Sequence, residues 1–201
     1  MKRKEQLTHT HTAILAAARK AFLTQGYQAT STREIAREVG ITQPALYHHF
    51  SDKEAIFLAV VNEVGQEAKT GMEQVIAQVR AGEQTDGVEA LAAMTEVLLK
   101  VHPRDVFTVL HGSFRFLQPD NQGQLGRLFM ADYLQPLQAF FTLDVVTLQP
   151  GMNAQEAANF YLTSLSPLFN NFHHVGPADA SPHQQVVTLL RLILFGIAVK
   201  K

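Results

Sequence analysis

The stretch STREIAREVGITQPALYHHFSDKEAIF, Ser31–Phe57, carries the punctuation of three consecutive helices. Its first four residues form a capping box. The Ser31 hydroxyl can take an orphan amide of the first turn while the Glu34 carboxylate reaches back to the Ser31 N–H. Ile35, Ala36 and Val39 follow as an apolar stripe, and Gly40 ends the helix. A second helix is expected from about Thr42 to Phe50. Pro44 suits its first turn, whose amides have no intrahelical partner. A further capping box, SDKE at Ser51–Glu54, predicts a long fourth helix to about Ala81, with Gly71 as the place where it would bend.

Upstream, Ile14, Ala18 and Phe22 recur at every fourth position, predicting a helix from about Thr10 to Gln25 that stops at Gly26. Two short helices joined by VGIT and braced by an amphipathic helix make a helix-turn-helix. Gly40 matters because the turn needs a left-handed or crowded backbone position. Downstream of the soft loop AGEQTDG (Ala81–Gly87), further helices are expected at about 87–101, 104–117, 122–142, 154–173 and 182–199. The breaks are His102-Pro103, QPDNQG, LQPGMN and VGPADASP. Asn153 with Glu156, and Ser181 before Pro182, are start signals. No strand-like alternation and no repeat stands out. The expected fold class is all-α with nine helices: a three-helix head over 1–50 and a larger helical body over 51–201.

Composition sets outer limits. A chain of 201 residues, 46% apolar and 17% charged, can bury a substantial core. The absence of cysteine excludes disulfides, thiolate metal sites and thiol nucleophiles. The basic start MKRKEQLTHTHTAI has no apolar run after it, and no stretch approaches the roughly 18 uncharged apolar residues of a membrane span. A cytoplasmic location is expected, with no membrane partner. Charge is unevenly placed: residues 1–55 carry eight Lys or Arg against five acids, and the remainder nine against thirteen. A basic end on an acidic body suits an anionic partner at that end.

A turn of roughly 100° per residue places Leu46 and Phe50 inward on the third helix and Pro44, Ala45, Tyr47 and His48 outward. Gln43 falls at the exposed tip, beside Thr42 at the helix start, and His49 at the boundary. In a helix-turn-helix the second helix enters the major groove, its amino-terminal residues toward base edges. Gln43 can pair bidentately with adenine, and Pro44 and Ala45 can pack on thymine methyls. Tyr47, His48, Thr32 and Arg33 can contact phosphates, as can the helix amino termini at Ser31 and Thr42. Lys53 opposes the positive end of the fourth helix, so an external anion is its natural partner.

The segment TSTREIAREVGITQPALYHHFSDKEAIF resembles the DNA-binding head of the TetR family of bacterial transcriptional regulators over about residues 10–60. The pattern rests on Ile35-Ala36, Gly40, Leu46-Tyr47, Phe50 and Lys53. The resemblance implies that Thr32, Arg33, Gln43, Pro44, Ala45, Tyr47, His49 and Lys53 take the family's DNA-contact positions. Where His48 stands the family often has an aromatic residue. The family's body implies an enclosed cavity for a small effector and a dimer built from the last two helices of two copies. Partners expected are therefore double-stranded palindromic DNA, a second copy of the chain and a small molecule.

Nine histidines raise a metal question. The clusters are His9/His11, His48/His49 and His173/His174. Helical metal ligands need i, i+3 or i+4 spacing, whereas adjacent residues diverge, so no metal site is expected. No nucleophile elbow, phosphate loop or dinucleotide fingerprint occurs, and HGSFRF (His111–Phe116) matches none. A non-enzyme without cofactor is expected, an all-α enzyme being the weaker alternative.

Ten of the thirteen phenylalanines follow residue 100. Most belong to the core. Phe107, His111, Phe114, Arg115, Phe140, Tyr161 and Phe169 are candidates for an effector pocket, because pockets combine apolar walls with a few polar groups. A body that senses a partner protein is the alternative. The last helix, QVVTLLRLILFGIAV (Gln185–Val199), is apolar on nearly every side, so its outer face needs cover from a second copy. Leu165, Leu168, Val187, Leu190 and Leu194 are the candidate interface residues. The expected activity is a homodimeric repressor that binds a palindromic operator and leaves it when a small apolar or aromatic ligand binds.

Overall fold

A computed structural model describes residues 2–169 and 175–196, the side chains of 2–5, 106 and 107 excepted. Every regular element among the described residues is helical, in the order α1 (Lys2–Gln25), α2 (Thr32–Val39), α3 (Gln43–Tyr47), α4 (Lys53–Arg80), α5 (Gly87–Val101), α6 (Val106–Phe114) and α7 (Pro119–Phe129). A π-helical turn (Met130–Leu134) then leads into α8 (Gln135–Phe140), followed by α9 (Ala154–Ser164), α10 (Ser166–Phe169) and α11 (Pro182–Phe195). With α7, the π turn and α8 taken as one rod, and α9 with α10 as another, this is the expected all-α class of nine helices among the described residues.

The differences have local causes. α1 starts before Thr10 because the Thr10 hydroxyl donates to the Gln6 carbonyl (3.0 Å) within the helix instead of capping its start. α4 is capped by Asp52, whose Oδ1 accepts from the Ala55 N–H (2.8 Å), and Gly71 does not interrupt it. The expected helix over 122–142 contains Pro136, which has no N–H to donate. The chain widens to a π turn just before it, with the Gln135 N–H bonding to the Met130 carbonyl. Pro167 likewise splits α9 from α10. The expected ends at 173 and 199, with Phe172, His173 and His174, lie outside the described residues.

The chain forms two compact units. Unit one holds residues 1–64 and 106–128. The predicted inner residues Ile14, Ala18 and Phe22 of α1, Ile35 and Ala36 of α2, Leu46 of α3 and Phe50 are buried, Val39 is half-buried, and Ile56 and Phe57 of α4 join the core. Phe22 meets Phe57 edge-on at 5.2 Å between ring centres, and Tyr27 joins both rings. Each such side chain contributes about 1.5–3 kcal/mol on burial. Glu54 accepts from the Gln118 N–H (2.9 Å) and the Asn121 side-chain amide, which fastens the α7 start to the first turn of α4.

Unit two holds residues 65–105 and 129–201. Its centre includes Met72, Leu91, Met94, Tyr133, Leu137, Phe140, Tyr161 and Leu190. Gly71 permits close packing against α5: a β-carbon there would meet Val97 Cγ1 at 2.6 Å. Polar side chains buried in this core find partners. The Thr95 hydroxyl donates to the Leu91 carbonyl (2.7 Å), so its bond with the Tyr161 hydroxyl (2.8 Å) has the tyrosine as donor. Burial holds the Tyr161 hydroxyl far above its ordinary range. Asp132, in the π turn, accepts from the Gln66 side-chain amide (2.7 Å), and burial raises its pKa.

At the start of α11, His183 lies between two carboxylates of α5. Its Nδ1 is 2.7 Å from Glu96 Oε1 and its Nε2 3.3 Å from Glu89 Oε2. The hydrogen bond to Glu96 first, opposed by burial and aided by the charges of Glu96 and Glu89, raises the imidazole above its ordinary value. A raised folded-state pKa stabilises the fold fully below the unfolded value of about 6.5, and that stability disappears as pH rises through the folded value. The urea midpoint should therefore decline as pH is raised from about 6.5 through the His183 titration. H183Q should flatten that decline, measured at low ionic strength where exposed pairs are least screened.

Candidate nucleic-acid interface

The interface begins with the caps that fix α2 and α3. Ser31 has extended backbone (φ −112°, ψ 145°); its Oγ accepts from the Glu34 N–H (3.2 Å), and Glu34 Oε2 accepts from the Ser31 N–H (3.2 Å). The Ser31 bonds pull the Glu34 carboxyl below its ordinary value. Gly40 then takes the left-handed conformation (φ 76°, ψ 27°), and the Ile41 N–H closes onto the Ala36 carbonyl (3.0 Å). Thr42 caps α3 in turn, its Oγ1 accepting from the Ala45 N–H (3.3 Å), with Pro44 in the first turn.

This geometry turns Leu46 fully inward and leaves Tyr47 42% exposed. Arg33, Thr42, Pro44 and His48 are exposed; Gln43, Ala45, His49 and Lys53 are half-buried. α3 closes at Tyr47, and His48 is its exposed C-cap. The adjacent histidines diverge. His49 leans toward His11, with ring centres 6.0 Å apart, and His11 stacks on Phe50 at 4.6 Å. Lys53 lies over the Tyr27 ring, 4.3 Å from its centre, and burial lowers the ammonium pKa. Burial, aided by Glu54 and Asp52, pushes the Tyr27 hydroxyl up to about 12.

Two features were not read from the sequence. Arg37 shares an exposed face of α2 with Arg33 at i, i+4, and both line a shallow concavity of about 700 Å³ that ends at Gln43. Thr32 is buried, and its hydroxyl meets two residues of α3: Gln43 Nε2 donates to Thr32 Oγ1 (2.9 Å), and Thr32 Oγ1 lies 3.0 Å from the Tyr47 hydroxyl.

The other sequence candidates are dispersed. His111, Phe114 and Arg115 are exposed on unit one, while Val109, Leu110 and Ser113 form the inner side of α6. The Phe107 side chain lies outside the described residues. On unit two, Phe140 and Tyr161 are fully buried and Phe169 is half-buried. Of the interface candidates, Leu165 and Leu190 are buried within the unit, and Leu168, Val187 and Leu194 are half-buried. An open groove of about 490 Å³ in unit two is walled by Val88, Phe141, Val146, Phe160 and Leu194, with Asp86 and Arg191 at its edges.

A left-handed turn between two capped helices, an apolar inner row and a polar outer tip define an all-helical helix-turn-helix protein. Residues 14–60 match the family described as "Bacterial regulatory proteins, tetR family". The chain is 29% identical over 134 residues to the HTH-type transcriptional activator FasR of Mycolicibacterium smegmatis, covering 67% of this chain and 52% of FasR. It is 40% identical over 58 residues to the transcriptional repressor AcnR of Corynebacterium diphtheriae, covering 29% of this chain and 30% of AcnR. The matches thus span about half of FasR and less than a third of AcnR. The fold resembles that of the transcriptional regulator FadR from Bacillus subtilis, solved with stearoyl-CoA, with a TM-score of 0.65 at 16% identity over 93% of this chain and 99% of FadR.

Substituting Ser31 by alanine should destabilise the protein by about 1 kcal/mol, because the Glu34 amide loses its acceptor. Urea unfolding measures the loss, and hydrogen exchange should localise it to the first turn of α2.

Proposed function

We propose that the chain is a DNA-binding transcriptional regulator acting as a homodimeric repressor on a palindromic operator. The observation that carries this reading is the outward face of α3, where Gln43, Pro44, Ala45 and Tyr47 project from a helix whose opposite side is locked by Leu46. Thr42 and His48 stand at its two ends, with Arg33, His49 and Lys53 beside it as phosphate-facing groups and Thr32 buried behind it. The DNA-binding domain is assigned to residues 1–50 and the sensing and dimerisation domain to 51–201.

Dimerisation is supported by apolar side chains left uncovered on α9 and α11. Phe160, Leu192 and Phe195 are exposed, the last at 69%. They extend the row of Leu168, Val187 and Leu194, while Leu165 and Leu190 hold the same helices onto their own unit. A stable biological interface buries more than roughly 1,000 Å². Two heads one helical turn apart, about 34 Å, would then read both half-sites.

The effector is assigned as a small molecule with an apolar or aromatic part, and the stearoyl-CoA of the FadR structure is of this character. Candidates for its site are Phe107, His111, Phe114 and Arg115 on unit one and, separately, Phe140, Tyr161 and Phe169 on unit two. Phe140 and Tyr161 can serve only in a state that opens the present core. The effector releases the operator by binding that state more tightly than the DNA-bound one.

Selection from random duplex DNA should recover a palindrome. Q43A should then flatten one base position per half-site. K53A should weaken all sites alike and reduce the slope of log affinity against log salt by about 1 per subunit. If selection recovers no site, or neither variant alters binding, the assigned face is wrong.

L192E with F195E should convert the dimer to a folded monomer in sedimentation, because both side chains are exposed in the single chain. A double variant that sediments as the parent does would remove α11 from the interface.

A further inference from the structure

The hydroxyl of Thr32 holds a place that the operator reading alone does not give it. It is 93% buried, yet its two neighbours are side chains of the reading helix, 11 and 15 residues further along the chain. One hydroxyl has one proton. Thr32 Oγ1 accepts from the Gln43 amide nitrogen at 2.9 Å and lies 3.0 Å from the Tyr47 oxygen, a bond in which either hydroxyl can donate. Tyr47 is 42% exposed, so its hydroxyl can also meet a group outside the protein.

The consequence for Gln43 is directional. A glutamine amide is free to turn about its last torsion, whose wells are broad and roughly two-fold, so an unrestrained side chain can offer either its oxygen or its nitrogen. With Nε2 tied to Thr32, the oxygen is the end left for the groove. An acceptor reads bases that carry an exocyclic amine in the major groove, adenine and cytosine. Adenine gains a second bond when the remaining amide proton reaches its N7. Guanine and thymine present acceptors in the corresponding places, and an oxygen aimed at them is repelled.

We infer that Thr32 is a specificity-determining positioning residue: through the Gln43–Thr32–Tyr47 relay it orients the Gln43 amide so that this residue reads an amine-bearing base, adenine before cytosine. This rests on the reading of α3 as the groove-facing helix. The relay also links base reading to the partly exposed Tyr47 hydroxyl.

The test compares the parent, Q43A, T32V and T32S by selection from random duplexes, followed by titration of single-base variants of the recovered site. Q43A identifies the position read by Gln43. The parent should prefer adenine there by on the order of tenfold or more, the discrimination expected of a bidentate pair. T32V keeps the shape of threonine without its hydroxyl. It should reduce the preference at that one position to under about threefold and leave other positions as they were, because the freed amide can turn toward any base. T32S restores the hydroxyl and should restore the preference. T32A replaces T32V if the latter does not fold, since it also lacks the hydroxyl.

Uniform weakening by T32V at every position would make the hydroxyl a phosphate contact and overturn the inference. So would an unchanged adenine preference in T32V, or a guanine or thymine at the position that Q43A flattens. A parent protein that selects no duplex site overturns the groove-facing reading itself, which is a separate and distinguishable result.

Discussion

The geometry of the head depends on one backbone conformation, the left-handed turn at Gly40. With φ at 76°, the chain leaves α2, closes the Ile41 amide onto Ala36 and enters α3 in the orientation that buries Leu46. A side chain at Gly40 would meet nothing within 4 Å, so the demand for glycine there is a backbone demand rather than one of space. An L-residue in this conformation costs roughly 1–2 kcal/mol. The alternative is a different turn, which would rotate α3 about its axis. Since successive side chains differ by roughly 100°, even a one-residue change of register would bring Tyr47 toward the core and Leu46 toward solvent. Fold and reading face are therefore set by the same torsion.

That dependence explains why so much was legible in the sequence. Capping boxes, a left-handed glycine and a four-residue apolar period are local features, and α2, α5 and the start of α11 came out where those signals put them. Where local reading missed, a distant group intervened or proline changed the bonding. Glu54 has the spacing to complete a box with Ser51, but its carboxylate is taken by Gln118 and Asn121, 64 and 67 residues away, and Asp52 caps α4 instead. Pro136 and Pro167 could not extend their helices as the periodicity suggested, and a π turn and a break stand beside them. The outward face of α3 was readable from a helical wheel. The Thr32 relay was not, because it needs the register of α2 against α3, which no local pattern encodes.

Two threonine–tyrosine pairs show how surroundings decide what a hydroxyl network can do. Thr95 uses its proton on the carbonyl one turn back, so Tyr161 must donate and the network closes inside unit two. Both groups are satisfied, and the tyrosine is held neutral by burial. Thr32 instead receives the Gln43 amide and bonds a tyrosine that is partly exposed. The same residue pair, threonine with tyrosine, thus makes a sealed core contact in one place and a contact open to the outside in the other.

A similar division settles how an all-round apolar helix can serve two purposes. On α11, Val186, Leu189 and Leu190 are buried in the unit to which the helix belongs, and Leu192 and Phe195 face away. Sequence alone could not separate these rows, because Leu, Ile and Val occupy every side of the helix. Packing separates them by removing one row from water and leaving the other exposed. At the start of the helix His183 lies between Glu89 and Glu96 of α5. A partner pressed against that row would meet Leu192 and Phe195, and would leave the contacts of Leu190 untouched.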